Sequence, residues 1–137
     1  MAEEEIKQKY LELQMGAEQM KHMQTQMQAL EEKNQEVQGN MQSLEDLKGQ
    51  KNSEMLTPIA EGIFLKAELK NDDEVIVNVG AGVCVKKTID EAKKMLQGRQ
   101  NEVNQYAREM HGEVEKVAIA MKKLEEDLGN MLKNKNV

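Results

Sequence analysis

The sequence predicts an α+β fold that is mainly α: a long antiparallel coiled-coil helical hairpin with two β-hairpins, four short strands in all, inserted at the bend. Three observations predict it. Seven-residue apolar repeats run through the first and last parts of the chain; the only proline and a change to period-two patterning fall between them; and aromatic residues are nearly absent. With only Tyr10, Phe64 and Tyr106 as rings and 32% charged residues, the chain lacks what a rounded core of ordinary size uses. A narrow aliphatic seam needs none of it. The 137 residues read as one domain, with helix 1 over about 3–49, the β segment over 55–88 and helix 2 over about 89–133.

Helix 1 rests on a repeat without a break. One set of seam positions is Ile6, Leu13, Met20, Met27, Asn34, Met41 and Lys48; the other is Lys9, Gly16, Met23, Leu30, Val37 and Leu44. Steps of three and four keep one stripe turned to a partner helix. At ~1.5 Å per residue such a helix reaches more than ~60 Å. Asn34 in the seam costs stability and commonly fixes register.

The β segment holds Pro58 and alternating apolar residues, with strands expected at about 55–60, 63–70, 74–79 and 83–87. Ala60-Glu61-Gly62, Asn71-Asp72-Asp73 and Gly80-Ala81-Gly82 supply the turn residues. Four short strands bury too little alone, and a lone hairpin is marginal in water. Val75, Val77, Val79, Val83 and Val85 are expected on one side with open strand edges beside them, which marks this segment as an oligomerisation unit. Its expected interface residues are Ile76, Val77, Val79, Val83 and Val85.

Helix 2 opens on Thr88 and Glu91, the spacing of a capping box, with Asp90 and Glu91 at the positive end of the helix dipole. Its seam reads Leu96, Arg99, Val103, Tyr106, Met110, Val114, Val117, Met121, Leu124, Leu128 and Met131. Two steps of four through Tyr106, Met110 and Val114 form a stutter, which locally unwinds a supercoil. Gly129 and the Asn/Lys-rich end suggest fraying beyond about residue 130.

Charge and cysteine usage exclude several classes. The net charge is −6, and the acidity sits in residues 1–54, which carry 6 Lys/Arg against 11 Asp/Glu. No segment forms the clustered basic face of a nucleic-acid binder. Cys84 is alone, so neither an internal disulfide nor a cysteine zinc site is expected. No run approaches the ~20 apolar residues of a membrane span, and the acidic start is unlike a signal peptide. A cytoplasmic setting is expected.

Within the β segment, Thr57-Pro58-Ile59, then Gly62-Ile63-Phe64-Leu65-Lys66-Ala67-Glu68-Leu69, then Val77-Asn78-Val79-Gly80-Ala81-Gly82-Val83 running into Lys87-Thr88, are similar to the α-type pattern of the prefoldin family. Two hairpins also match the α type, since β-type subunits have one. The chain departs from the pattern at Ala60, where another glycine is common. The resemblance covers the whole chain in architecture and about thirty residues in motif. It implies a hexamer of two α-type and four β-type subunits, whose strands form a barrel-like platform with the helical hairpins hanging below. It further implies capture of unfolded client proteins at the open ends and their transfer to a group II chaperonin, without ATP.

The expected client-binding residues are Ile6, Tyr10 and Leu13 on helix 1 and Leu128, Met131 and Leu132 on helix 2. Lys9, Gly16 and Gly129 are expected to interrupt packing there and let the tip open. The seam methionines are read mostly as core, with a soft surface for varied clients as the alternative. Other motifs carry bland readings. His22 and His111 are read as solvated, Gly80-Ala81-Gly82 as a turn because a strand follows it, and Asn71-Asp72-Asp73 as a plain turn. Cys84 is read as a packed, inert thiol. No catalytic set, metal site or cofactor is expected, nor a nucleic-acid or membrane partner. The alternative function is a structural or tethering coiled coil, but a tether has no need of two hairpins at its bend.

Overall fold

The computed structural model describes residues 2–135. Its elements run α1 (Ala2–Asp46), β1 (Glu54–Ala60), β2 (Ile63–Glu68), β3 (Glu74–Gly80), β4 (Val83–Thr88) and α2 (Ile89–Lys135). With 45 and 47 residues in its two helices, the chain is mainly α as predicted. It divides into two compact units, one of Met1–Lys33 with Val103–Val137 and the other of Asn34–Glu102.

Along α1 the less exposed residues are Ile6, Lys9, Leu13, Gly16, Met20, Met23, Met27, Leu30, Asn34, Val37, Met41 and Leu44, the seam read from the sequence. Val37 is the most enclosed, at 2% exposed. Lys48 departs from that seam because the helix ends before it. The Leu47 and Lys48 N–H groups donate to the carbonyls of Leu44 and Glu45 at 3.2 and 3.1 Å, a tighter turn than the helix. Gly49 then takes φ +78°, the left-handed position that closes many helices, and its N–H donates to the Asp72 carboxylate at 3.0 Å.

In α2 the seam corrects the sequence reading. From Leu96 onward the less exposed positions include one continuous set: Leu96, Gln100, Val103, Ala107, Met110, Val114, Val117, Met121, Leu124, Leu128 and Met131. These alternate strictly between steps of four and three, so the repeat has no stutter. Arg99 and Tyr106 lie on the exposed flank, and Gln100 and Ala107 take the inward places. The repeat's phase, not side-chain size, decides which residue faces in. The helix also continues to Lys135 without ending near residue 130.

The strands form two separate antiparallel hairpins, β1 with β2 and β3 with β4. In the first, Met55 pairs with Ala67, Thr57 with Leu65 and Pro58 with Phe64; in the second, Val75 pairs with Lys87 and Val77 with Val85. Each first strand carries a bulge near its turn, between Pro58 and Ala60 and between Asn78 and Gly80. Ala60 needs no glycine, because in that turn the left-handed position falls on Gly62, at φ +76°. In the second turn Gly80, Ala81 and Gly82 all have positive φ, at 114°, 51° and 74°.

A short link joins the hairpins and holds both helix ends. Asn71 Oδ1 accepts from the N–H groups of Asp73 and Glu74, the Asp72 carboxylate accepts from Gly49 N–H just past the end of α1, and the Asp73 carbonyl accepts from Ile89 N–H at 2.9 Å. Thr88 Oγ1 accepts from Glu91 N–H at 3.1 Å, which caps α2 as the Thr-x-x-Glu spacing predicts.

Candidate assembly and client-binding surfaces

The unit Asn34–Glu102 sets the two hairpins on unequal footings. Every residue of β1 is exposed, and in β2 only Ala67 is half-buried. In the second hairpin Val75, Val77, Val85 and Lys87 are half-buried. Val75 and Val77 line an apolar groove of about 330 Å³ together with Leu44 of α1 and Ala92 and Leu96 of α2. Of the expected interface residues, Ile76 is exposed at 73% and Val79 and Val83 are exposed at the tip, whereas Val77 and Val85 pair across the ladder and lie half-buried. The sequence reading missed Leu56, Ile59, Ile63, Phe64 and Leu65, which are all exposed on the first hairpin. The available signal was the uncharged alternation of residues 63, 65 and 67.

At the root of these elements the helices meet through charge as well as packing. The Lys48 ammonium lies 2.7 Å from Asp90 and 3.2 Å from Glu45, and Lys93 lies 2.7 Å from Glu45. Hydrogen bonds from Lys93 and then Lys48 hold the Glu45 carboxyl below the usual carboxylate range. Lys48 does the same to Asp90, and the two carboxylates, Asp90 first, raise Lys48 in turn. Beside this network Ile89 and Ala92 are buried, and Gln100 donates to Gln38 at 3.1 Å.

The other unit holds the start of α1 against the end of α2, and here the positions expected to interrupt packing have partners or lie outside the seam. Lys9 is half-buried, but its ammonium lies 3.6 Å from Asp127. Gly16 is filled rather than loose: a Cβ there would come within 3.0 Å of Met121 Cγ. Gly129 is exposed, outside the seam. Among the expected client-binding residues, Leu128 is buried, Ile6, Leu13 and Met131 are half-buried, and Tyr10 and Leu132 are exposed. Leu11 and Met15 are exposed too, apolar residues off the seam that the repeat gave no reason to select.

Cys84 is exposed, not packed, because it alternates with Val85 and shares the open face of its hairpin with its pair partner Asn78. His22 lies 3.1 Å from Gln26 and His111 3.4 Å from Glu115, each one helical turn away. Among the described residues no group of three His, Cys, Asp or Glu could hold a metal ion, and no helix is long and apolar enough to cross a membrane.

A family model described as prefoldin subunit matches residues 17–133. Prefoldin subunit alpha of Methanobrevibacter smithii is 47% identical over 51 residues, 37% of this chain and 35% of that protein. Prefoldin subunit alpha of Methanosarcina barkeri is 36% identical over 75 residues, 55% and 52% of the two chains. The chain thus matches about a third to a half of the length of these relatives. A chain in the cryo-EM structure of filamentous PFD from Methanocaldococcus jannaschii has the same fold, with a TM-score of 0.72 at 14% identity over 81% of this chain and 93% of that one.

Proposed function

We propose, from the premise that this chain belongs to the prefoldin family as an α-type subunit, that it is one subunit of an ATP-independent holding chaperone. Prefoldins are a chaperone family, not an enzyme family, and the chain works by holding other proteins without catalysis. Its hairpins assemble with β-type prefoldin subunits into a hexamer of two α and four β chains, with Ile76, Val77, Val79, Val83 and Val85 contributing to the contacts. In the cytoplasm, the helix ends carrying Ile6, Tyr10, Leu13, Leu128, Met131 and Leu132 capture unfolded proteins, which pass to a group II chaperonin.

One observation carries this reading. The four strands leave Leu56, Ile59, Ile63, Phe64, Leu65, Ile76, Val79 and Val83 in solvent, an amount of open apolar surface that a chain working alone has no means to keep soluble. At the helix ends Tyr10 is 56% and Leu132 41% exposed, so covering each with a client contributes about half of the roughly 1.5–3 kcal/mol of a fully exposed apolar side chain, before ordering costs. Several subunits acting together make such weak contacts sufficient.

The test is truncation. Deleting residues 1–13 together with 127–137 should preserve the oligomer seen by light scattering while reducing protection of a denatured test protein from aggregation. Full protection by the correctly assembled, truncated complex would move client binding away from the helix ends.

A further inference from the structure

The groove of about 330 Å³ that Val75 and Val77 share with Leu44, Ala92 and Leu96 has two further lining residues that decide what it can hold, Met95 and Arg99. All of them belong to the unit Asn34–Glu102. Ala92, Met95, Leu96 and Arg99 follow one another at steps of three, one and three, so they form a single stripe along α2. Ala92 is buried, Met95 and Leu96 are half-buried, and Arg99 is exposed. The stripe thus runs from an enclosed apolar end to a cation at the open end.

Arg99 is the one charged residue in the lining among the described residues. It makes no ion pair there, although Lys48 and Lys93 in the same unit are both paired with carboxylates. A guanidinium stays charged at any ordinary pH and meets a carboxylate with two parallel N–H donors. An apolar cleft with one placed polar group is the usual form of a small-molecule site. At roughly 30 Å³ for each water-sized group, the volume takes about ten non-hydrogen atoms, the size of octanoate. An alkylamine of that length would bring like charge to Arg99, and an alcohol would bring no charge to pair with it.

We propose that this groove binds a medium-chain aliphatic carboxylate, with the alkyl chain against Leu44, Val75, Val77 and Leu96 and the carboxylate on Arg99. The site goes beyond the chaperone reading and does not depend on it, since every residue that forms it lies in this chain.

The experiment titrates octanoate into the full chain near neutral pH and follows the heat of binding. Wild type should bind saturably at one site, and octylamine should bind about tenfold more weakly or worse. Arg99→Gln should weaken octanoate by about tenfold or more and leave octanol unchanged. Met95→Glu puts a carboxylate in the groove one turn from Arg99 and should abolish octanoate binding. Arg108→Gln, at an exposed arginine outside the groove, should change nothing. Far-UV circular dichroism should retain the wild-type helical signal in all three variants. No saturable binding by wild type, equal affinity for octanoate and octylamine, or an equal loss in Arg108→Gln would overturn the proposal. So would unchanged affinity in Arg99→Gln and Met95→Glu. An end-blocked apolar peptide that binds more tightly than octanoate, and equally to wild type and Arg99→Gln, would give the groove to a client segment instead. Should wild type bind no octanoate but self-associate in light scattering, with Met95→Glu monomeric, the occupant is a second copy of the chain.

Discussion

The two hairpins are built alike and situated differently. Each pairs a seven-residue strand with a six-residue one, carries a bulge in its first strand, and returns through a turn containing glycine. Yet the first is exposed except at Ala67, whereas Val75, Val77 and Val85 of the second are half-buried. The difference lies in the connections. Strand β4 ends at Thr88 and α2 begins at Ile89, so its hairpin has no slack and is drawn against the helices. Seven residues, 47–53, separate the end of α1 from strand β1, and they are held in successive turns by bonds such as Gln50 N–H to Leu47 O and Ser53 N–H to Gln50 O. The lesson is that burial of a β-hairpin is set by its tethers as much as by its own side chains.

The largest test of this contrast falls at the joint itself. Ile89, 2% exposed, sits where the second hairpin enters the helices. Ile89→Ala should cost about 2–4 kcal/mol in denaturant unfolding. Ile63→Ala on the first hairpin should cost the unassembled chain less than about 1 kcal/mol. Equal losses would break the comparison. A second test introduces charge: Val77→Asp should destabilise the unassembled chain by about 2 kcal/mol and also impair assembly. Leu65→Asp should impair assembly alone, which thermal melts at low concentration would separate.

A smaller effect is expected at the turns. Ala81 holds φ 51° without being glycine, so Ala81→Gly should raise stability by about 0.5–1 kcal/mol. Gly62, at φ +76° in the other turn, should show the reverse, with Gly62→Ala losing about 1 kcal/mol. Hydrogen exchange of the turn amides would reveal both.

The smallest effect belongs to the ion network at the root, which is open to solvent. Glu45 and Asp90 are depressed, so their contribution is complete above the ordinary carboxylate range and fades as pH falls through their lowered values. Lys48 is raised, so its share is complete below the ordinary lysine value and fades as pH rises through the raised one. The melting temperature should be flat from about pH 5 to about pH 10. Lys48→Met should soften the decline at both ends. Identical pH profiles for wild type and variant would show that the network adds nothing.

Much of this architecture was legible because it is periodic. In α1 each seam position from Ile6 to Met41 is less exposed than its neighbours, since one face of a long helix has only one place to go. The strands and turns were legible from Pro58, the glycines and the alternating valines. What failed was local choice. Tyr106 beside Ala107, and Arg99 beside Gln100, invited selection by bulk or chain length where the repeat's phase ruled. Lys48 fitted the repeat, but the helix had already ended. Cys84 has valine neighbours, yet the alternation of a strand turns it outward. At the helix ends, Lys9 and Gly16 read as defects because their partners, Asp127 and Met121, lie over a hundred residues away in sequence.

Gly16 under Met121 also gives the helix pair a redox vulnerability. The thioether fits because the glycine leaves room, with Met121 Sδ 3.3 Å from where a Cβ would stand. Conversion to the sulfoxide adds a polar oxygen to a side chain shaped for that gap, and the same holds for buried Met23 in the same unit. Met15, at 62% exposed, would take up oxidant with little effect on packing. Peroxide damage to this chain should therefore divide into a harmless fraction on the outer surface and a disruptive one in the seam, and reductase repair of the second would depend on the helices first coming apart.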